Sequence, residues 1–189
     1  MREYSELIGS ILEELGKVLR SVDQECVNNL RRDIIQARRI FVAGRGRSGL
    51  QMQSFAMRLM QLDLDVHVVG DVTAPAIGAG DLLIIGSGSG KTASLIDYAQ
   101  RARDLNAQVA LITIAQESPI AALADSIIRI KATSPKLRDD QAATNPSIQP
   151  MGSLFEQTLV ILLDTVVIQL MIDLNIDSSM MFARHANLE

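Results

Sequence analysis

The chain has 189 residues, a formal net charge of −4, 48% apolar and 21% charged residues, and no Trp. That is enough for one domain with a sizeable core, and the composition is too apolar for a disordered chain. An acidic balance speaks against a nucleic-acid partner, and the pair Arg45 and Arg47 is too small a basic patch to reverse that.

The first 37 residues are expected to form a helical arm. Leu7, Ile8, Ile11, Leu12, Leu15, Val18 and Leu19 recur at helical spacing. A second helix starts at Asp23, a good N-cap, and runs through Leu30, Ile34 and Ile35. Residues 38–130 then alternate. "RIFVAG", "DVHVVG", "DLLIIG", "AQVALITI" and "DSIIRI" read as strands. "SGLQMQSFAMRLMQL" and "TASLIDYAQRARDL" read as helices, and "SPIAALA" as a short helix with Pro in its first turn. Uniformly apolar strands alternating with helices predict an α/β fold: one doubly wound, five-stranded parallel sheet in flavodoxin-like order.

Residues 131–150 hold three prolines and no periodicity, and a loop that long is either mobile or functional. Residues 151–174 read as one long buried helix, and 175–189 as an oddly apolar tail. The longest apolar run, 158–172, is short for a bilayer and holds Asp164, so no membrane partner is expected. The opening residues carry acidic groups through their apolar positions, unlike a secretory leader. The lone Cys26 excludes an internal disulfide and reads as a half-buried helix residue. A reducing, cytoplasmic setting follows from these readings.

Two glycine loops carry the chemistry. "GSGSGKT" (86–92) ends as a nucleotide P-loop ends, but that pattern needs Gly at position 85, where this chain has Ile85. "AGRGRSG" places Gly44, Gly46 and Gly49 as in a dinucleotide turn, with Asp71 near the position of a ribose partner. Against a dinucleotide, Arg45 and Arg47 make that turn bulky, and a second anion-type loop follows the third strand. Two facing loops suit one small phosphorylated molecule. Ser87, Ser89 and Thr92 ring one helix N-terminus, and Ser48 opens the other helix. Free N–H groups and the helix dipole favour an anion at both. Simple N-capping is the plainer role for any one of these hydroxyls.

"SGSGKT" resembles the phosphate loop of SIS (sugar isomerase) domains. Within that family, "AGRGRSGL", "DLLIIGSGSG", "QPMGSLFEQTL" and "RHANLE" are similar to the 6-phospho-3-hexuloisomerases. The likeness covers nearly the whole chain and makes the final Leu-Glu native. One departure is Lys91, where that family usually has Glu. The resemblance implies interconversion of D-arabino-hex-3-ulose 6-phosphate and fructose 6-phosphate through an enediolate. It also implies Glu156 as base, His185 of a neighbouring subunit as its helper, and a homotetramer. Read from the residues alone, Glu156 instead completes a capping box with Ser153, and His185 is a surface residue. Arg47 is the candidate for neutralising the phosphate or the enediolate. His67 reads as structural. No spacing suggests a metal site, and an enediolate route needs no redox cofactor. A non-catalytic sugar-phosphate sensor, or an isomerase of another sugar phosphate, stays open. The amphipathic arm and the apolar tail are expected to pack on other copies.

Overall fold

The computed structural model describes residues 3–133 and 147–188. Most of the long loop read from the sequence, and the terminal Glu189, lie outside them.

Two helices open the chain, α1 (Tyr4–Arg20) and α2 (Gln24–Gln36). The alternating region then gives β1 (Ile40–Gly44), α3 (Gly46–Gln61), β2 (Val66–Val68), β3 (Leu82–Gly86), α4 (Ala93–Asp104), β4 (Gln108–Thr113) and β5 (Ser126–Arg129). The long α5 (Ser153–Leu174) and the short α6 (Ser178–Phe182) close the chain. All five strands are parallel, in the order β2-β1-β3-β4-β5. This is the doubly wound, flavodoxin-like arrangement expected from the apolar runs.

Strand alternation divides the core in two. Ile40, Val42, Leu82 and Ile84 face α1, α2, α3 and α5. Phe41, Ala43, Leu83 and Ile85 face α4 on the other side. The chain leaves β1 through α3 on one face and β3 through α4 on the opposite face. A crevice therefore opens between the C-terminal ends of β1 and β3, where an open α/β sheet binds its ligand. The other end of these strands is tied down by Asp81, whose fully buried carboxylate meets Arg38 at 3.0 Å and Arg39 at 2.9 Å.

Two elements differ from the sequence reading, and two more are placed in detail. "SPIAALA" forms only a 3-10 turn, Ala121–Leu123. The helix α5 is buried along one side only: Leu159, Leu163, Val166 and Leu170 enter the core, while Ile168 and Ile172 are exposed. At 22 residues α5 is also longer than the apolar run, and is the one helix among the described residues long and apolar enough to cross a membrane. Its buried face packs against the sheet and α3, as a core helix does. The arm joins the core of its own chain only through its later part. Leu15 and Val18 of α1 and Val27, Leu30 and Ile34 of α2 belong to the main core, leaving Tyr4, Leu7, Ile8 and Leu12 exposed. The tail is not buried within the chain either, since Phe182 and Leu188 are exposed.

Candidate active site

The two glycine loops end level with each other, because Gly44 pairs with Gly86 across adjacent strands. That puts the loops one strand spacing, about 4.8 Å, apart at their roots. The first turn is closed by backbone packing. A Cβ on Gly44 would stand 2.8 Å from Gly49 Cα, and one on Gly49 would stand 2.9 Å from the Gly44 carbonyl oxygen. No side chain fits on either residue unless strand and helix move apart.

The second loop is held by its own hydroxyls. Ser87 is buried, and its Oγ accepts from Gly90 N–H at 3.2 Å; Ser89 Oγ accepts from Lys91 N–H at 3.3 Å. Gly90 has φ +62°, and a Cβ there would collide with Ser118. Thr113 anchors the loop from β4, its hydroxyl donating to the Gly88 carbonyl at 3.1 Å. Thr92 is the N-cap of α4 but makes no side-chain cap bond. The N-cap of α3, Arg45, makes none either, and Ser48 lies in the first turn of that helix. Both helices thus point N-termini uncapped by a side chain at the crevice between β1 and β3. Such an end carries partial positive charge and N–H donors suited to an anion.

Helix α5 brings the carboxylate to this crevice. A Cβ on Gly88 would lie 3.3 Å from the Phe155 ring, and one on Gly86 would lie 3.2 Å from Leu159. The first turn of α5 therefore packs directly under the second loop. The capping box read from "SLFE" is not formed. The N-cap is Gly152, so Ser153 and Glu156 fall inside the helix. Both turn to Arg47 of the first loop. Its Nη1 donates to Ser153 Oγ at 3.2 Å, and its Nε stands 3.2 Å from Glu156 Oε2. That carboxylate oxygen is buried and paired as an ion contact rather than in good hydrogen-bond geometry. Arg47 is 57% exposed and Glu156 16%, so the guanidinium closes the carboxylate off from solvent.

Ser48, Arg47, Ser87, Ser89, Thr92 and Glu156 thus gather at one end of the sheet. His185 does not join them within the chain. It lines a cavity of about 400 Å³ with Arg58, Asp164, Val167 and Met171, its ring 5.8 Å from Phe182. Val167 and Met171 lie 11 and 15 residues beyond Glu156, roughly 16–22 Å along the helix at 1.5 Å per residue. His67 sits in β2, with Nε2 2.9 Å from Asp65 and its ring 5.4 Å from Phe41, a packed rather than a reactive setting. Cys26 is half-buried in α2, and burial pushes its thiol pKa up.

Two groups escaped the sequence reading. Arg45 reaches across to α4, donating to Ser94 Oγ at 3.0 Å and Tyr98 Oη at 2.7 Å, with its guanidinium over the Tyr98 ring. This contact fixes the mouth between the two loops. Its only sequence signal is a pair of Arg residues inside a glycine turn. Glu14 of α1 binds the segment before α5; its partners are 133 to 135 residues away, and nothing local announces them.

A family model described as SIS domain matches residues 33–161. Over 185 residues the chain is 46% identical to a Bacillus subtilis protein named 3-hexulose-6-phosphate isomerase, covering 98% of both chains. A Mycobacterium gastri protein of the same name is 41% identical over 95% of this chain and 88% of its own. Among solved structures, a hypothetical protein from Methanococcus jannaschii superposes with a TM-score of 0.84 at 33% identity, over 97% of this chain and 99% of that one. Its crystal structure infers a molecular function of 3-hexulose-6-phosphate isomerase.

Proposed function

The chain belongs to the SIS domain family, and we propose that it interconverts D-arabino-hex-3-ulose 6-phosphate and fructose 6-phosphate. The observation that carries this reading is the meeting of one carboxylate, Glu156, with two anion-binding loops at a single crevice. A sensor needs the loops alone; a buried carboxylate paired to Arg47 beside them is what proton transfer requires.

The phosphate binds at the N-terminus of α4, ringed by Ser87, Ser89 and Thr92, with Ser48 facing it from α3. In the 3-ulose, the hydroxyl that would close a five-membered ring carries the phosphate, so the substrate arrives open-chain. Moving the carbonyl from C3 to C2 requires loss of the C2 proton, an enediolate, and return of a proton at C3. Glu156 takes and returns that proton. Arg47 gives up part of its pairing to Glu156 and faces the negative charge that develops on the enediolate oxygens.

His185, set on an exposed tail, acts in the crevice of a neighbouring copy, where its imidazole serves ring opening of fructose 6-phosphate. That arrangement requires an oligomer, and a homotetramer in the cytoplasm, serving the ribulose monophosphate route of formaldehyde fixation, is the form we propose. The test is direct. A synthase makes the 3-ulose from ribulose 5-phosphate and formaldehyde, and coupled enzymes report fructose 6-phosphate. Product formation that depends on this chain is expected, and no product would remove the activity.

A further inference from the structure

In the sheet-edge cavity the buried His67 Nε2 is already paired with Asp65 at 2.9 Å, and the exposed faces of α1 and α5 show nothing of what covers them. The strongest unexplained feature is Glu14. It lies outside the residues matched by the family model, on a helix whose other inward residues are apolar. Its carboxylate accepts three hydrogen bonds, all from one short segment. Ser147 Oγ donates at 2.6 Å, Ile148 N–H at 2.9 Å and Gln149 Nε2 at 2.9 Å. Burial raises the carboxyl pKa, but these three donors outweigh it and hold Glu14 below the usual range.

That segment leads into α5 with little ladder of its own. Ser147 N–H reaches Thr133 Oγ at a long 3.4 Å, and Ser147 Oγ accepts from Gln149 N–H at 3.0 Å. Then Ser153 N–H turns back to the Pro150 carbonyl, and Met151 takes a left-handed φ of 56°, unusual for a side chain of its size. Between Gln149 and Ser153 the chain is a tight turn, so its starting point decides where the first turn of α5 comes to rest. Phe155 fixes one side of that turn against Gly88. Glu14 binds the residues just before it.

We propose that Glu14 is a positioning residue for Glu156, clamping residues 147–149 so that the base meets the substrate at the right distance. The inference rests on the reading of Glu156 as the base. A misplacement of about 1 Å at a reacting group costs up to roughly 100-fold in rate, whereas the phosphate loops, held by their own backbone, should not sense the clamp.

The experiment compares Glu14→Ala, Glu14→Gln and Ser147→Ala in the full-length protein. It uses steady-state kinetics and hydrogen exchange at residues 147–156. Glu14→Ala should lower kcat about 10-fold with KM within about 2-fold, because positioning rather than grip is lost. Exchange at 147–156 should rise while the β1 and β3 amides stay protected. Glu14→Gln keeps one carbonyl acceptor and should recover part of the loss, and Ser147→Ala should lie between it and wild type. Unchanged kcat, a rise in KM alone, or exchange spread evenly over the chain would each overturn the proposal. If Glu14→Ala does not fold, the Gln and Ser147 variants decide on the same criteria. A wild-type chain inactive on the 3-ulose would sink the reaction instead, and the exchange at 147–156 would still judge the clamp.

Discussion

The paired loops after β1 and β3 and the segment that launches α5 meet at one crevice but are built in opposite ways. The loops are set by the sheet itself: Gly44 pairs with Gly86, Gly44 packs on Gly49, and Ser87 and Ser89 bond within their own turn. The α5 launch depends on distant side chains, Arg47 from 106 residues away and Glu14 from 133 or more. The grip on phosphate is therefore local and stiff, and the placement of the base is long-range. Damage to the first should appear in KM and folding, and damage to the second in kcat.

The sharpest probe of this division is Glu156→Gln. It should lower kcat by at least about 100-fold, the usual size of a general-base effect, with KM little changed. Near-normal turnover would end the assignment. Next comes the grip. Removing the Ser89 and Thr92 hydroxyls together should raise KM about 10-fold or more, at roughly 1 kcal/mol for each lost bond, and spare kcat. A fall in kcat alone would mean that the loop does more than hold phosphate.

Gly49→Ala tests the stiffness of the loops without touching a functional group. Forcing a methyl against the Gly44 carbonyl should cost about 2 kcal/mol and lower the melting temperature by several degrees. An unchanged melting curve would show that strand and helix can part freely. Acid should loosen the launch before the loops. The Glu14 carboxyl is depressed in the folded chain, so its stabilisation is present above its unfolded value and is lost as pH falls through the folded one. The decline in stability below the usual glutamate range should therefore be shallower in Glu14→Gln, as read by chemical denaturation across pH. The smallest effect belongs to Lys91→Glu. Lys91 is exposed, and the change should raise KM about 2-fold at low salt, fading as salt screens the site.

The same contrast explains what the sequence revealed. The five strands were legible because most are short apolar runs, with β2 interrupted only by His67, and the parallel arrangement followed from the alternation with helices. The hydroxyl loops were legible because every group in them lies within seven residues. The long-range half was not. "SLFE" has the spacing of a capping box, yet a spacing of three fits any pair within one helical turn, and the helix begins at Gly152 instead. The N-terminal capping box that does form joins Glu3 and Glu6, where no Ser or Thr marks it. Glu156 stood out through its likeness to SIS isomerases, and its partner Arg47 was read as meeting the substrate, not the base. Glu14 has no local signal, because its partners lie on a segment far along the chain.

The side-by-side glycines at the ends of β1 and β3 also bear on how such a chain can change over generations. Gly44 admits no larger residue because Gly49 crosses it, and Gly86 none because Met52 and Leu159 fill the space. A lineage has almost no freedom there, and whatever it learns to convert must carry a small anion to that notch. The turn that launches α5 carries no such restriction in its own backbone packing. New sugars would be reached by redrawing residues 147–152 around an inherited grip and base.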